Sequence, residues 1–234
     1  MAGPGSGPGR MGPARFLTEE EKKNMPKVTK VLLARVILKD PKILILDEAT
    51  SWREIYKMCK DLIFRKAGRG DLDAICRIYE RSHDAEEAGL TTTGWLRGVY
   101  PVRAVAEAAL DRDDMYVAVT DGRVIATGVI NQIQVDVYYG CDWKYKAADE
   151  EVSVLHTLAV DPGARGMGIG PAFVKFWEKL AAEQGCSVLR IDTNARNKRA
   201  REMYEKLGYI ETDIVPTVFN GIPGVDLVLM EKKL

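Results

Sequence analysis

Apolar residues along this chain recur in two rhythms, one of strands and one of helices. The stretch DLIFRKA (61–67) reads as a first strand. Asp71 then stands where a cap precedes a helix, whose apolar positions fall at Leu72, Ile75, Ile78 and Tyr79. A second helical region is predicted over roughly 95–110. MYVAVTDGRVIATGVINQIQVDVY (115–138) gives two strands that turn at Asp121-Gly122. The polar and aromatic YGCDWKYKAADE (139–150) reads as a loop and VSVLHTLAV (152–160) as a strand. GIGPAFVKFWEKLAAEQG (168–185) has the helical period, with Phe173, Phe176, Trp177 and Leu180 on one face and Gly185 near its end. SVLRIDT (187–193) is a strand and NKRAREMYEKLG (197–208) a helix. VPTVF (215–219) and VDLVLMEKK (225–233) are strands about NGIPG (220–224). The order is mixed α/β, with a last helix followed by antiparallel strands. A doubly wound dinucleotide fold does not have that order.

The first 57 residues do not keep this pattern. MAGPGSGPGRMGPARF (1–16) lacks the apolar content to offset backbone ordering and reads as a disordered leader. In 17–57 an amphipathic stretch leads into the strand-like KILILDE. Residues 31–51 resemble the second nucleotide-binding motif of ABC-type ATPases, in which Asp47 and Glu48 would hold magnesium and act on water. That family also needs a GxxxxGK[ST] loop, and this sequence contains none. Carboxylates without a phosphate cradle do not hold ATP, so 17–57 is expected to be a non-functional ATPase-like fragment.

Composition narrows the partners. Of 234 residues, 46% are hydrophobic, enough for a core, and 34 basic residues balance 34 acidic ones. An even balance argues against a nucleic-acid backbone as partner. The four cysteines are far apart with no CxxC pair, which argues against a zinc site or disulfide framework. No apolar run reaches the length of a membrane span, and no signal core stands at the N-terminus, so a cytoplasmic protein is expected.

One stretch carries chemistry. LHTLAVDPGARGMGIG (155–170) is a strand, a glycine-rich turn and a helix start. Converging amides and a helix N-terminus suit a phosphate, and Pro171 loses little in the first helical turn. The same spacing equally suits a turn that only packs helix on strand. A Walker loop would need Lys then Ser or Thr where Pro171 and Ala172 stand. A dinucleotide site would need more βαβ units than remain after this turn.

Residues 62–234 resemble the GCN5-related N-acetyltransferase superfamily, whose sheet is mixed and mostly antiparallel. The first motif is Arg165-Gly-Met-Gly168-Ile-Gly170. The second, downstream, is Asn197, Ala200, Tyr204, Gly208 and Tyr209 at the family's spacing. The resemblance implies an acetyltransferase domain over 58–234 that uses acetyl-CoA. It implies that the amides of Arg165, Gly166, Met167, Gly168, Ile169 and Gly170 bind the pyrophosphate. The main chain of Leu158, Ala159 and Val160 would hold the pantetheine arm, Asn197 and Ala200 would support it, and Tyr204 would point at the thioester sulfur.

Direct transfer to an amine needs a deprotonated amine, a polarised carbonyl and a proton for the thiolate. His156 is the candidate base, since an imidazole titrates near neutrality. Strict alternation would put it on one face with Leu158 and Val160. It equally suits a histidine hydrogen-bonded between layers, as Tyr204 suits a core tyrosine. His83 reads as structural or solvent-facing. Trp95, Tyr100, Asn131, Asp136 and Asp192 are acceptor-pocket candidates, each also explicable as edge, turn or surface. The loop 139–150, with Tyr139, Trp143 and Tyr145, is expected to close over substrate or to contact a second copy in a homodimer. Two rival readings stand beside the enzyme: an acyl-CoA-binding module without catalysis, and an interaction protein built on 31–51.

Overall fold

A computed structural model describes residues 62–234. The expected leader (1–16) and the ATPase-like segment (17–57) lie outside the described residues. The strands are β1 (Ile63–Lys66), β2 (Met115–Thr120), β3 (Arg123–Asn131), β4 (Val152–Val160), β5 (Val188–Asn194), β6 (Ile210–Phe219) and β7 (Ile222–Lys233). The helices are α1 (Leu72–Glu87), α2 (Arg103–Asp111), α3 (Ile169–Glu183) and α4 (Lys198–Lys206). They build one seven-stranded sheet in the order β1-β2-β3-β4-β5-β7-β6. Its pairs are antiparallel except β4 with β5. This is the mixed, mostly antiparallel sheet expected from the sequence.

Helices α3 and α4 cover one face. Phe173, Val174, Trp177 and Ala181 of α3 pack there on Leu155, Leu189, Ile191 and Met230. The other face is covered in two parts. Leu72, Ile75, Ile78 and Tyr79 of α1, with Ala106 and Ala109 of α2, cover Met115, Val117 and Val129. The β3–β4 connection lays Tyr138 and Trp143 over Val152, Val154, Val188, Leu227 and Leu229.

Four expectations are corrected. Asp71 does not cap α1. Its carboxylate accepts from the Gly68 amide at 2.8 Å and pairs with Arg65, so it closes the turn before the helix. The second helix begins only at Arg103, because Pro101 and the Leu96–Tyr100 bridge keep 95–102 irregular. Loop 139–150 is not a free lid. Trp143 is buried, its Nε1 donating to the Tyr138 carbonyl and its ring lying 4.3 Å from the Arg190 guanidinium. Finally, β4 does not alternate strictly. Two β4 residues oppose one of β3 between the Val129–His156 and Thr127–Ala159 pairs, and Thr157 sits at φ 51°. After such a bulge the faces exchange. Leu155, Leu158 and Val160 therefore pack toward α3, while Ala159 packs toward α1.

Candidate active site

The sheet is open at its middle. Strand β4 pairs with β5 over three residues only, Val152, Ser153 and Val154 against Val188, Leu189 and Arg190. From Leu155 to Val160, β4 has no neighbouring strand on that side among the described residues. Main-chain groups along such an edge are left for an extended ligand, which binds as an added strand would. A narrow cleft on the α1 side of the edge is lined by Leu158, Ala159, Val160 and Arg165 and, across from them, by Thr91, Thr93 and Trp95.

The glycine turn lies at the open end of that edge. Asp161 fixes its start by accepting from Gly163 at 3.0 Å, and Arg81 of α1 grips the same carboxylate in a fork, Nε at 3.0 Å and Nη2 at 2.6 Å. Gly166 and Gly168 have φ 81° and 76°, left-handed values that a side chain disfavours. The Arg165 amide donates to Pro162 and the Met167 amide to Ala164, so those two are not free. The amides of Gly166, Gly168, Ile169 and Gly170 remain, since the first helical bond beyond them runs from Ala172 to Gly168. The Arg165 and Arg199 guanidiniums lie close enough for Arg199 to lower the pKa of Arg165, an effect that adds to burial, and neither has a carboxylate partner among the described residues. Two unneutralised cations beside free amides favour an anion. Gap, turn and cations together fit an acyl-coenzyme A: an amide-bearing arm ending in a diphosphate.

A strap crosses the gap. The Glu86 carboxylate accepts from Thr91 Oγ1, Thr93 Oγ1 and the Thr93 and Gly94 amides, all at 2.8–2.9 Å. Thr92 Oγ1 donates to the Arg196 carbonyl beyond β5, and Arg165 Nη1 donates to the Leu90 carbonyl on the β4 side. Gly94, at φ 77°, presses on Asn194; a Cβ there would lie 2.4 Å from the Asn194 amide nitrogen. Trp95 and Tyr100 follow, ring edge to ring face with centroids 6.2 Å apart. The Tyr100 hydroxyl bonds to Thr157 Oγ1.

Asp192 and Tyr204 both lie beside the place where the strands part. Asp192 is on β5, facing the β3–β4 connection. Tyr204 is on α4, on the opposite side of the sheet. Burial raises the pKa of Tyr204, and the charge of Asp192 is near enough to raise it further. Asp192 is half-buried, yet enclosure pushes its carboxyl up to about 6. Its Oδ2 accepts from the Tyr138 hydroxyl at 2.8 Å. The Tyr204 side chain is buried; Tyr209 lies edge-on to it with ring centroids 5.7 Å apart, and the buried Tyr209 hydroxyl has no hydrogen-bond partner among the described residues. Asn197 caps α4 by accepting from Ala200 at 3.3 Å, and its amide donates to Thr193 at 3.3 Å, which ties that helix to β5.

The remaining candidates make other contacts. Asn131 donates to Asp114 at 2.8 Å, so its oxygen faces His156 Nε2 at 3.1 Å and also accepts from the Ile133 amide. The imidazole therefore carries its proton on Nε2. Burial lowers the pKa of His156 to about 4, which makes it a poor proton acceptor. Asp136 is exposed, two residues before Tyr138. His83 is buried, its Nε2 against the Pro101 carbonyl. Sequence reasoning missed Tyr138, Glu86 and Arg190. A charged residue inside an apolar strand, as in VLRIDT, is the signal that something must cover Arg190; Tyr138 sits in the segment that does so.

Residues 72–209 match the family described as acetyltransferase (GNAT). An uncharacterised N-acetyltransferase of Methanocaldococcus jannaschii is 24% identical over 163 residues, 69% of this chain and 66% of that protein. A mycothiol acetyltransferase of Streptomyces scabiei is 33% identical over 78 residues, 32% of this chain and 25% of its own length. Among solved structures, a GNAT-family acetyltransferase from Streptococcus agalactiae superposes with TM-score 0.62 at 21% identity, over 74% of this chain and 95% of that one. The structural likeness speaks to the fold.

Proposed function

Because the chain belongs to the acetyltransferase (GNAT) family, we propose that it moves acetyl from acetyl-CoA directly to a primary amine of a small or amino-acid-like acceptor. Both substrates are held at once where β4 and β5 part. The observation that carries this reading is the parting of β4 from β5 after three paired residues, beside the glycine turn, with Asp192 and Tyr204 near enough for the charge of the carboxylate to reach the phenol. Bound acetyl-CoA supplies a thioester carbon whose bond to sulfur breaks as its bond to the amine nitrogen forms.

The chain supplies the rest. The β4 edge at Leu158–Val160 aligns the arm. The amides of Gly166, Gly168, Ile169 and Gly170, with Arg165 and Arg199, neutralise the diphosphate. Trp95 and Tyr100 wall the acceptor side. With its carboxyl near 6, Asp192 is mostly ionised at pH 7. It draws the acceptor ammonium in and takes its proton. Neutralising an α-amine at pH 7 costs about 1 kcal/mol, against 4–5 kcal/mol for a lysine-like amine at roughly pKa 10.4. A carboxylate of this modest basicity suits the former, which supports an amino-acid-like acceptor. Tyr204, kept protonated by burial, delivers its proton to the departing thiolate. His156 is assigned to orienting β4 through Asn131 rather than to proton transfer. Residues 58–234 form the catalytic unit, with 1–57 dispensable to it.

The test is free-thiol release from acetyl-CoA with the purified chain and a panel of amines. Tyr204→Phe lowers kcat by about 10²-fold with coenzyme A affinity unchanged by calorimetry. Asp192→Asn lowers kcat/KM at every pH. Wild-type turnover in both variants would remove Asp192 and Tyr204 from the chemistry, and coenzyme A binding without thiol release for any amine would reduce the site to a binding cleft.

A further inference from the structure

The residue that touches Asp192 comes from a segment with no family motif in it. Tyr138 is 1% exposed, on a short 3-10 turn (Asp136–Gly140) in the β3–β4 connection. Its hydroxyl makes one hydrogen bond, to Asp192 Oδ2. The segment around it is fixed at several points by two charged residues of the sheet. Arg190 bonds to Gln134 Oε1 and, at 3.4 Å, to the Tyr145 carbonyl, and stacks on Trp143. Glu231 is fully buried on β7 and accepts from the Lys144 amide at 2.7 Å. Trp143 in turn holds the Tyr138 carbonyl and sets its ring edge-on to Tyr138, centroids 5.2 Å apart. The phenol is thus delivered to one carboxylate oxygen by a rigid scaffold. The other oxygen, Oδ1, has no partner among the described residues.

A hydroxyl donated to a carboxylate favours its ionised form, against the enclosure that disfavours it. It also prevents the carboxylate from rotating. Packing alone would be met as well by phenylalanine. We propose that Tyr138 is a positioning residue whose hydroxyl keeps Asp192 in its proton-accepting form and turns Oδ1 toward the acceptor amine. This rests on the reading of Asp192 as the proton acceptor, but it has a readout of its own.

The full chain is prepared with 13C-carboxyl aspartate, and the Asp192 signal is identified by its loss in Asp192→Asn. In Tyr138→Phe the titration midpoint of that signal rises by about one pH unit, since a bond to a charged group is worth at least that much. The acid limb of kcat/KM rises with it, about tenfold slower well below the midpoint and converging with wild type above it. Incorporating 3-fluorotyrosine at position 138, a stronger donor of the same shape, moves the midpoint down and serves if the phenylalanine variant does not fold. Midpoints that stay at the wild-type value in these variants overturn the role of Tyr138, whatever the kinetics. A full-rate Asp192→Asn overturns instead the assignment of the base.

Discussion

Asp192 and His156 hold their protons in the reverse of the usual order. In water an aspartate ionises near 3.8 and a histidine near 6.5; here the carboxyl is raised to about 6 and the imidazole lowered to about 4. Between those values the folded chain carries its proton on Asp192, and the unfolded chain carries it on His156. The count is one in each state, so the pair leaves folding stability nearly flat with pH. Single substitutions expose the two halves. The raised group, Asp192, stabilises the fold below about 4, a contribution lost as pH climbs through about 6. The depressed group, His156, stabilises above about 6.5, a contribution lost as pH falls through about 4. In Asp192→Asn, unfolding free energy therefore rises by about 3 kcal/mol from pH 4 to 6.5, and in His156→Gln it falls by a similar amount. Urea melts across that range measure both; parallel curves for the two variants would contradict the exchanged protonation. The sequence displayed both residues but not their environments. A pattern of types reveals that Asp192 neighbours apolar positions, whereas enclosure by Tyr138 depends on a loop that folds back from far along the chain.

At the scale of elements, the glycine turn and β4 show what a local pattern conveys and what it omits. The turn was legible because each of its requirements is met by residue type: glycines at the left-handed positions, a proline in the first helical turn, apolar residues behind. Gly168→Ala forces a Cβ into φ 76°. It is expected to cost about 1 kcal/mol in a thermal or urea melt and to weaken coenzyme A roughly tenfold by calorimetry. An unchanged affinity would show that the amides do not face the ligand. The bulge in β4 was illegible. Thr157 is β-branched and rarely takes positive φ, so nothing in VLHTLAV announces the extra residue. It is imposed by pairing with β3 and secured by the Tyr100 hydroxyl. One inserted residue reassigns every side chain after it, and so misdirected the strict-alternation reading of His156. Asp71 misled differently: its carboxylate served the turn preceding it because Arg65 and the Gly68 amide were nearer than the helix amides.

For the molecule as a whole, element order and class were readable from periodicity, and the family from two motifs at their separation. The covering of the second sheet face was not. Helices α1 and α2 cover part of it, and an irregular connection with a buried tryptophan covers the rest. Irregular segments have no period to detect. The three core clusters are drawn from residues 62–234, and a chain starting at Met58 is expected to keep its turnover and its cooperative melt. Loss of folding in that truncation, followed by circular dichroism, would make the first segment integral.

The three-residue seam between β4 and β5 has one more consequence. The sheet is two smaller sheets, β1 to β4 and β5 to β7, fastened at one end and wedged apart at the other. A ligand lying in the wedge bonds to a strand on one flank and to side chains on the other, so it acts as a missing ladder between them. Its occupancy should reach further than its contacts: amide exchange would slow in both halves together, and the two would melt as one block.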